Sequence, residues 1–137
     1  MARTTILSVA AEPLHQKNLR KILSAQGYEV AAAFSAAEAE LILNILGASP
    51  AAAVIASPLP EEGGLGFARR LRKNPKFARL AILLIAERAD AEECRQALEP
   101  DGIVNCVISH PFRAEELSAR LKGLLALRRH APHSGAV

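Results

Sequence analysis

The chain has 137 residues, 50% of them hydrophobic and 23% charged, with a formal net charge of +3. That length suits one domain with a real core, and the balance excludes an intrinsically disordered chain. No apolar stretch approaches the roughly 20 residues that cross a bilayer, so no membrane partner is expected and the cytoplasm is the expected compartment.

β-branched and aliphatic residues predict a first strand over 4–10. The run ILSVAA within it is shorter than a signal peptide's apolar core and continues straight into strand pattern. Pro13 suits a first helical turn, Leu14, Leu19, Ile22 and Leu23 form the expected inner stripe of that helix, and Gly27 supplies its stop. A second strand is expected over 29–34. SAAE at 35–38 then reads as a capping box, in which Ser35 and Glu38 satisfy the first free amides of a helix reaching Leu46. Leu41, Ile42, Leu43, Ile45 and Leu46 make the sides of this helix unusually apolar. Tight packing on more than one face is the expectation, and a partner surface is the alternative.

Residues 51–56 read as a fully buried central strand running into SPLPEEGG, whose prolines and glycines forbid regular structure from residue 57. The third helix, over 65–73, carries Arg69, Arg70, Arg72 and Lys73 and is closed by Asn74 and Pro75. Such a charge run reads as a solvated face. With no Trp and one Tyr in the chain, no stacking platform accompanies it, and nucleic acid is not an expected partner. A fourth strand over 80–86 and a helix over 90–98, with Asp90 as its N-cap, lead to a break at Pro100 and Gly102. The fifth strand is expected over 103–108 and the last helix over 113–128, with Leu117, Leu121, Leu124 and Leu125 inward. Cys94 and Cys106 have no CxxC or His-rich context and read as buried, reduced thiols rather than zinc ligands.

Alternation of short apolar runs with helical period is the signature of a parallel sheet covered on both faces. The expected fold is therefore α/β: a flavodoxin-like, doubly wound (βα)5 domain with five parallel strands in the order 2-1-3-4-5. It spans residues 1–128, with 129–137 as a flexible tail. Its functional crevice is expected beyond the carboxyl ends of the first and third strands.

Four segments in order resemble the receiver domains of bacterial two-component systems, the CheY-like superfamily. ILSVAAEP resembles the first-strand motif, and QGYEVAAAFSAAEA the second strand and the entry to helix two. PAAAVIASPLPEEGGLGFARRLRKNP resembles the phosphoacceptor strand, its loop and the basic third helix, and SHPFRAEELSARLKGLL the lysine-proline loop and last helix. The resemblance covers residues 4–128. It implies an aspartate on the third strand that takes up phosphate, with Mg²⁺ held by that aspartate and by acidic residues after the first strand.

Every position of that site is altered here. Ala56 stands at the phosphoacceptor position and Ala10 and Ala11 at the acidic pair. The phosphate-contacting hydroxyl position falls on Ala86 or, one residue earlier, on Ile85. His110 stands where the family has lysine, and Val107 where it has its switching aromatic residue. The segment from Leu98 to His110 is about two residues longer than the family pattern, which predicts an altered loop near Pro100. The resemblance also implies a cis bond before Pro111.

Among the remaining candidates, Glu12 is expected to be exposed or to cap the first helix rather than to hold a metal. Ser57 is expected to structure its loop, since its side chain points away from that of Ala56. His110 is expected as a relic before Pro111, His15, His130 and His133 as surface or tail residues, and Glu61 and Glu62 as solvated loop residues or contacts for a basic partner. No metal or other cofactor is expected, and no enzymatic activity. The reading is a pseudo-receiver that signals by binding a histidine kinase, another regulator or a copy of itself as a homodimer. Its expected surfaces are helix 4, strand 5 and helix 5, or helix 1. Two alternatives stand beside it: a small-molecule sensor using the crevice among Ala10, Ala11, Ala56 and Ala86, and a regulatory fragment of a longer DNA-associated protein.

Overall fold

The computed structural model describes residues 3–47, 50–60, 62–98 and 102–130, the side chains of 128–130 excepted. Parallel strands β1 (Thr5–Val9), β2 (Glu29–Ala33), β3 (Pro50–Ala56), β4 (Ala81–Ala86) and β5 (Cys106–Ser109) pair in the order β2-β1-β3-β4-β5, the arrangement expected from the sequence. Helices α1 (Pro13–Ala25), α2 (Ala36–Leu46), α3 (Gly63–Arg72), α4 (Ala91–Gln96) and α5 (Ala114–His130) complete the alternation.

Successive strand residues point to opposite faces, so a sheet covered on both sides builds two cores from one continuous apolar run. Ile6, Ala52, Val54, Leu83 and Ile85 meet Leu19 and Leu23 of α1 and Leu117 and Leu121 of α5. Leu7, Ala53, Ile55, Ile82 and Leu84 meet Leu43 of α2, Phe67 and Leu71 of α3 and Cys94 of α4. The two cysteines are free and buried on opposite faces, and burial pushes both thiols above the usual range.

Several expectations are corrected. Leu14 is 78% exposed instead of lining α1's inner stripe. The sheet-facing positions are Gln16, Leu19 and Leu23, and Leu14 lies about 200° around the helix from Gln16. On α2, Ala36, Ala39 and Leu43 face inward while Leu41 and Ile45, one turn apart, are 61% and 75% exposed. The expectation of tight packing therefore fails for those two residues. The capping box is present with one shift: Ser35 Oγ accepts from the Glu38 amide at 3.0 Å, but the Glu38 carboxylate accepts from the Phe34 amide at 2.6 Å.

Strand β5 begins at Cys106 rather than at 103, because the preceding backbone is committed elsewhere. The Ile103 and Val104 amides both donate to the Ala97 carbonyl, at 2.9 and 3.4 Å. The Asn105 amide donates to the Ile82 carbonyl at 2.8 Å while its side-chain oxygen accepts from the Ile82 amide at 2.7 Å. Helix α4 is shorter than expected and follows a 3-10 turn, Arg88–Asp90, and Asp90 stands at its N-cap without a side-chain capping bond. Helix α5 runs to His130, past the expected end of the domain. The loop at Pro100, Glu61, His133, the side chain of His130 and the remaining tail lie outside the described residues.

Candidate functional site

At the carboxyl ends of the central strand β3 and the edge strand β5 the chain makes two cis X-Pro bonds, Ser57–Pro58 and His110–Pro111. Between them lies a cavity of about 180 Å³, lined by His15, Asn18, Leu19, Ala56, Ile85, His110, Pro111 and Phe112. Ala56 and Ile85 face it because they are register partners on the α1/α5 face. Ala86 points into the opposite core, so the β4 residue beside Ala56 is Ile85. Ala10 is buried on the Ala56 face and Ala11 packs against the other core, and neither lines the cavity. The expected crevice of four alanines is thus corrected to one alanine ringed by imidazoles, an amide and larger apolar groups.

His110 is anchored by its amide, which donates to the Ala86 carbonyl at 2.9 Å. Its Nε2 lies 3.3 Å from the Ser57 carbonyl oxygen. A carbonyl only accepts, so this bond places the proton of the neutral ring on Nε2. His15, expected as a surface residue, instead stacks on His110 with ring centroids 5.0 Å apart and planes at 23°, and Phe112 follows at 5.6 Å. Burial pushes the His110 imidazole below its usual range and the His15 ring adds to this. The Ser57 carbonyl and the charge of Glu87 pull the other way. His110 is therefore a mostly neutral ring near pH 7.

The residues present do not fit a magnesium ion. Hard cations require oxygen donors, and the positions that would supply them carry methyl groups at Ala10 and Ala56. Glu12 is exposed at the N-cap of α1 and makes no side-chain capping bond. Among the described residues, no group of three or more His, Cys, Asp or Glu is placed to hold a metal ion. Ser57 belongs to its loop. Its amide donates to the Ile85 carbonyl at 2.8 Å, and its Oγ lies 2.8 Å from where a Cβ on Gly64 would stand.

Two basic residues of α3, Arg70 and Arg72, have partners within the fold. Arg70 bridges Glu40 and Glu62, the latter at 2.6 Å, with its guanidinium over the Phe67 ring; the hydrogen bond to Glu62 foremost raises its pKa. Arg72 donates to the carbonyls of Ile103, Phe77 and Ala78 and to Asn105 Oδ1, at 2.8 to 3.3 Å. Glu62 therefore has an internal partner.

Sequence reasoning missed Gln16 and Ser8. Both are buried under the site. Ser8 Oγ donates to Gln16 Oε1 at 2.6 Å, and Gln16 Nε2 donates to the carbonyls of Ala33, Ser8 and Ala10 at 2.8, 3.1 and 3.4 Å. The amide stitches the ends of β1 and β2 to α1. The signal was available: Gln16 is the polar residue in the inward series that continues through Leu19 and Leu23.

No family model matches the chain. Its sequence is 40% identical over 73 residues to the cyclic di-GMP phosphodiesterase response regulator RpfG of Xanthomonas campestris pv. campestris, a match covering 53% of this chain and 19% of that protein. It is 34% identical over 107 residues to the phosphate regulon transcriptional regulatory protein PhoB of Rhizobium meliloti, covering 78% of this chain and 45% of that protein. The chain thus spans less than half the length of either relative. Its backbone is similar to a response regulator receiver domain protein from Clostridium thermocellum, with a TM-score of 0.83 at 20% identity over 92% of this chain and 97% of that one. At that identity the structural likeness speaks for the fold.

Proposed function

We propose, from the premise that this chain is a response-regulator receiver domain, that it serves two-component signalling without accepting phosphate, by binding protein partners in the cytoplasm. The observation that carries this reading is the buried methyl group of Ala56, flanked by Ile85 and by a neutral imidazole in place of an ammonium. Phosphoryl transfer to a carboxylate needs that carboxylate as nucleophile and a metal to neutralise the incoming charge. The residues at Ala10, Ala56 and Ile85 supply neither.

Of the two surfaces considered for docking, α1 is the better supported. A groove of about 810 Å³ runs between α1 and α5, with Ile22 and Phe112 as apolar contacts and Asn18, Lys21, Gln26 and Lys122 on its polar side. Helix α4, by contrast, is only six residues long. A histidine kinase, another regulator or a second copy of this chain remains the proposed class of occupant.

The test is to add Mg²⁺ and beryllofluoride to the protein while recording amide spectra. The expected result is no specific perturbation at Ala56, Ser57, Ile85 or His110. Saturable shifts confined to those amides would overturn the reading. Ala56→Asp alone is expected to leave the protein unresponsive, because the metal-binding carboxylates at Ala10 and Ala11 are still missing.

A further inference from the structure

We infer that the cavity between α1 and the β5–α5 connection binds a small organic carboxylate with an apolar body, taken up together with a proton on His110. This rests on the reading that the site takes neither metal nor phosphoryl group.

Three observations converge on this chemistry. The cavity has an apolar wall, made by Leu19, Ala56, Ile85, Pro111 and Phe112, and a polar rim of two imidazoles and the Asn18 amide. Its volume of about 180 Å³ is of the size that admits a single ring, since an apolar cavity of about 150 Å³ is enough for benzene. The two imidazoles are held ring to ring at 5.0 Å, from different elements, and among the described residues no carboxylate hydrogen-bonds to or ion-pairs with either. A protonated His110 has no counter-ion in direct contact. A carboxylate entering the cavity would provide one.

The charges acting on His110 come from His15 on α1 and from Glu87 after β4, together with the Ser57 carbonyl in the β3–α3 loop. Glu87 favours the protonated ring from a distance, whereas His15 opposes it. A bound monoanion therefore adds a favourable charge beside the unfavourable neighbour, and binding must raise the proton affinity of His110. Access follows from shared walls: Asn18 and Phe112 line both this cavity and the α1–α5 groove.

The size and the apolar wall distinguish an aromatic or short-chain carboxylate from inorganic phosphate, which carries its charge on every side and gains nothing from Ile85 or Phe112. Carboxylates stay ionised well above pH 4.3 or so, which leaves a window in which ligand and imidazolium are both charged.

The experiment is an NMR titration of the full chain with benzoate, following the imidazole Cε1–H resonances, with phosphate and chloride at matched ionic strength as the other arms. Benzoate is expected to saturate and to raise the titration midpoint of His110, with affinity falling by about tenfold or more from pH 5.5 to 7.5. His110→Gln is expected to remove that pH dependence. His15→Gln reports the same coupling should the first variant fold poorly. Midpoints that move no further in benzoate than in chloride, or phosphate binding more tightly than benzoate, would overturn the inference. A beryllofluoride response would instead overturn the phosphate-independent reading, so the two failures are separable.

Discussion

The two ends of the sheet treat polar groups in opposite ways. At the amino end, Arg72 and Asn105 latch α3 to the start of β5: the guanidinium satisfies three carbonyls, and the Asn105 oxygen accepts from both Arg72 and the Ile82 amide. At the carboxyl end, Ala10 and Ala56 present buried methyl groups, which need no bonding partner. Among the described residues no buried side-chain nitrogen or oxygen lacks a partner. The difference teaches that buried polar groups stand here where the fold itself completes their bonding.

Breaking the amino-end latch should have the largest effect. Arg72→Ala strands the Ile103 carbonyl and takes one of two donors from the Phe77 carbonyl and from Asn105 Oδ1, and is expected to destabilise the domain by about 2–3 kcal/mol, read from the urea midpoint at constant slope. Arg72→Lys should recover little, because one ammonium cannot reproduce the planar fork. A loss below about 0.5 kcal/mol would mean that solvent serves these carbonyls as well as the guanidinium does.

Gln16→Leu tests the polar stitch beneath the site. It keeps the side chain's bulk but leaves the Ser8 hydroxyl without its acceptor and the Ala33 carbonyl with the Ala10 amide as its remaining donor, for an expected cost of about 1–3 kcal/mol. If hydrogen exchange shows the ends of β1 and β2 loosening while β4 and β5 stay protected, the effect is local to this network. Uniform loosening would contradict that assignment.

Fold and site were legible to different depths. Strand order followed from the alternation of apolar runs, since right-handed crossovers and two covered faces leave few arrangements. Leu14, Leu41 and Ile45 were misjudged because hydrophobicity alone does not say which face of a helix meets the sheet. The decisive residue on α1 is the polar Gln16, whose partners lie on β1 and β2. The start of β5 was unreadable for a similar reason: Ile103 and Val104 look like strand residues, but their amides are held by Ala97 and the Ile103 carbonyl by Arg72, 31 positions away. The alanines at positions 10, 11 and 56 were visible as letters. Only the structure shows that His15, from another element, covers the vacated place, and that the register of β3 with β4 brings Ile85 rather than Ala86 beside Ala56.

The smallest effect should come from the carboxyl end, and it should depend on pH as the guanidinium latch does not. The folded protein holds His110 below the ordinary imidazole value of 6.5, through burial first and the His15 ring second. The unfolded chain therefore binds the proton more readily, and the stability that comes from keeping the ring neutral is complete above about pH 6.5 and lost as pH falls through the folded value. The urea midpoint is expected to drop between about pH 7.5 and 5.5, and His110→Gln should flatten part of that slope while leaving the Arg72 penalty unchanged. Because His110 remains substantially exposed, the change should be modest. A midpoint that instead rises on acidification would show that Glu87 outweighs burial and His15. In that case the carboxyl end would already hold its counter-charge within the fold, and the contrast between the two ends would disappear.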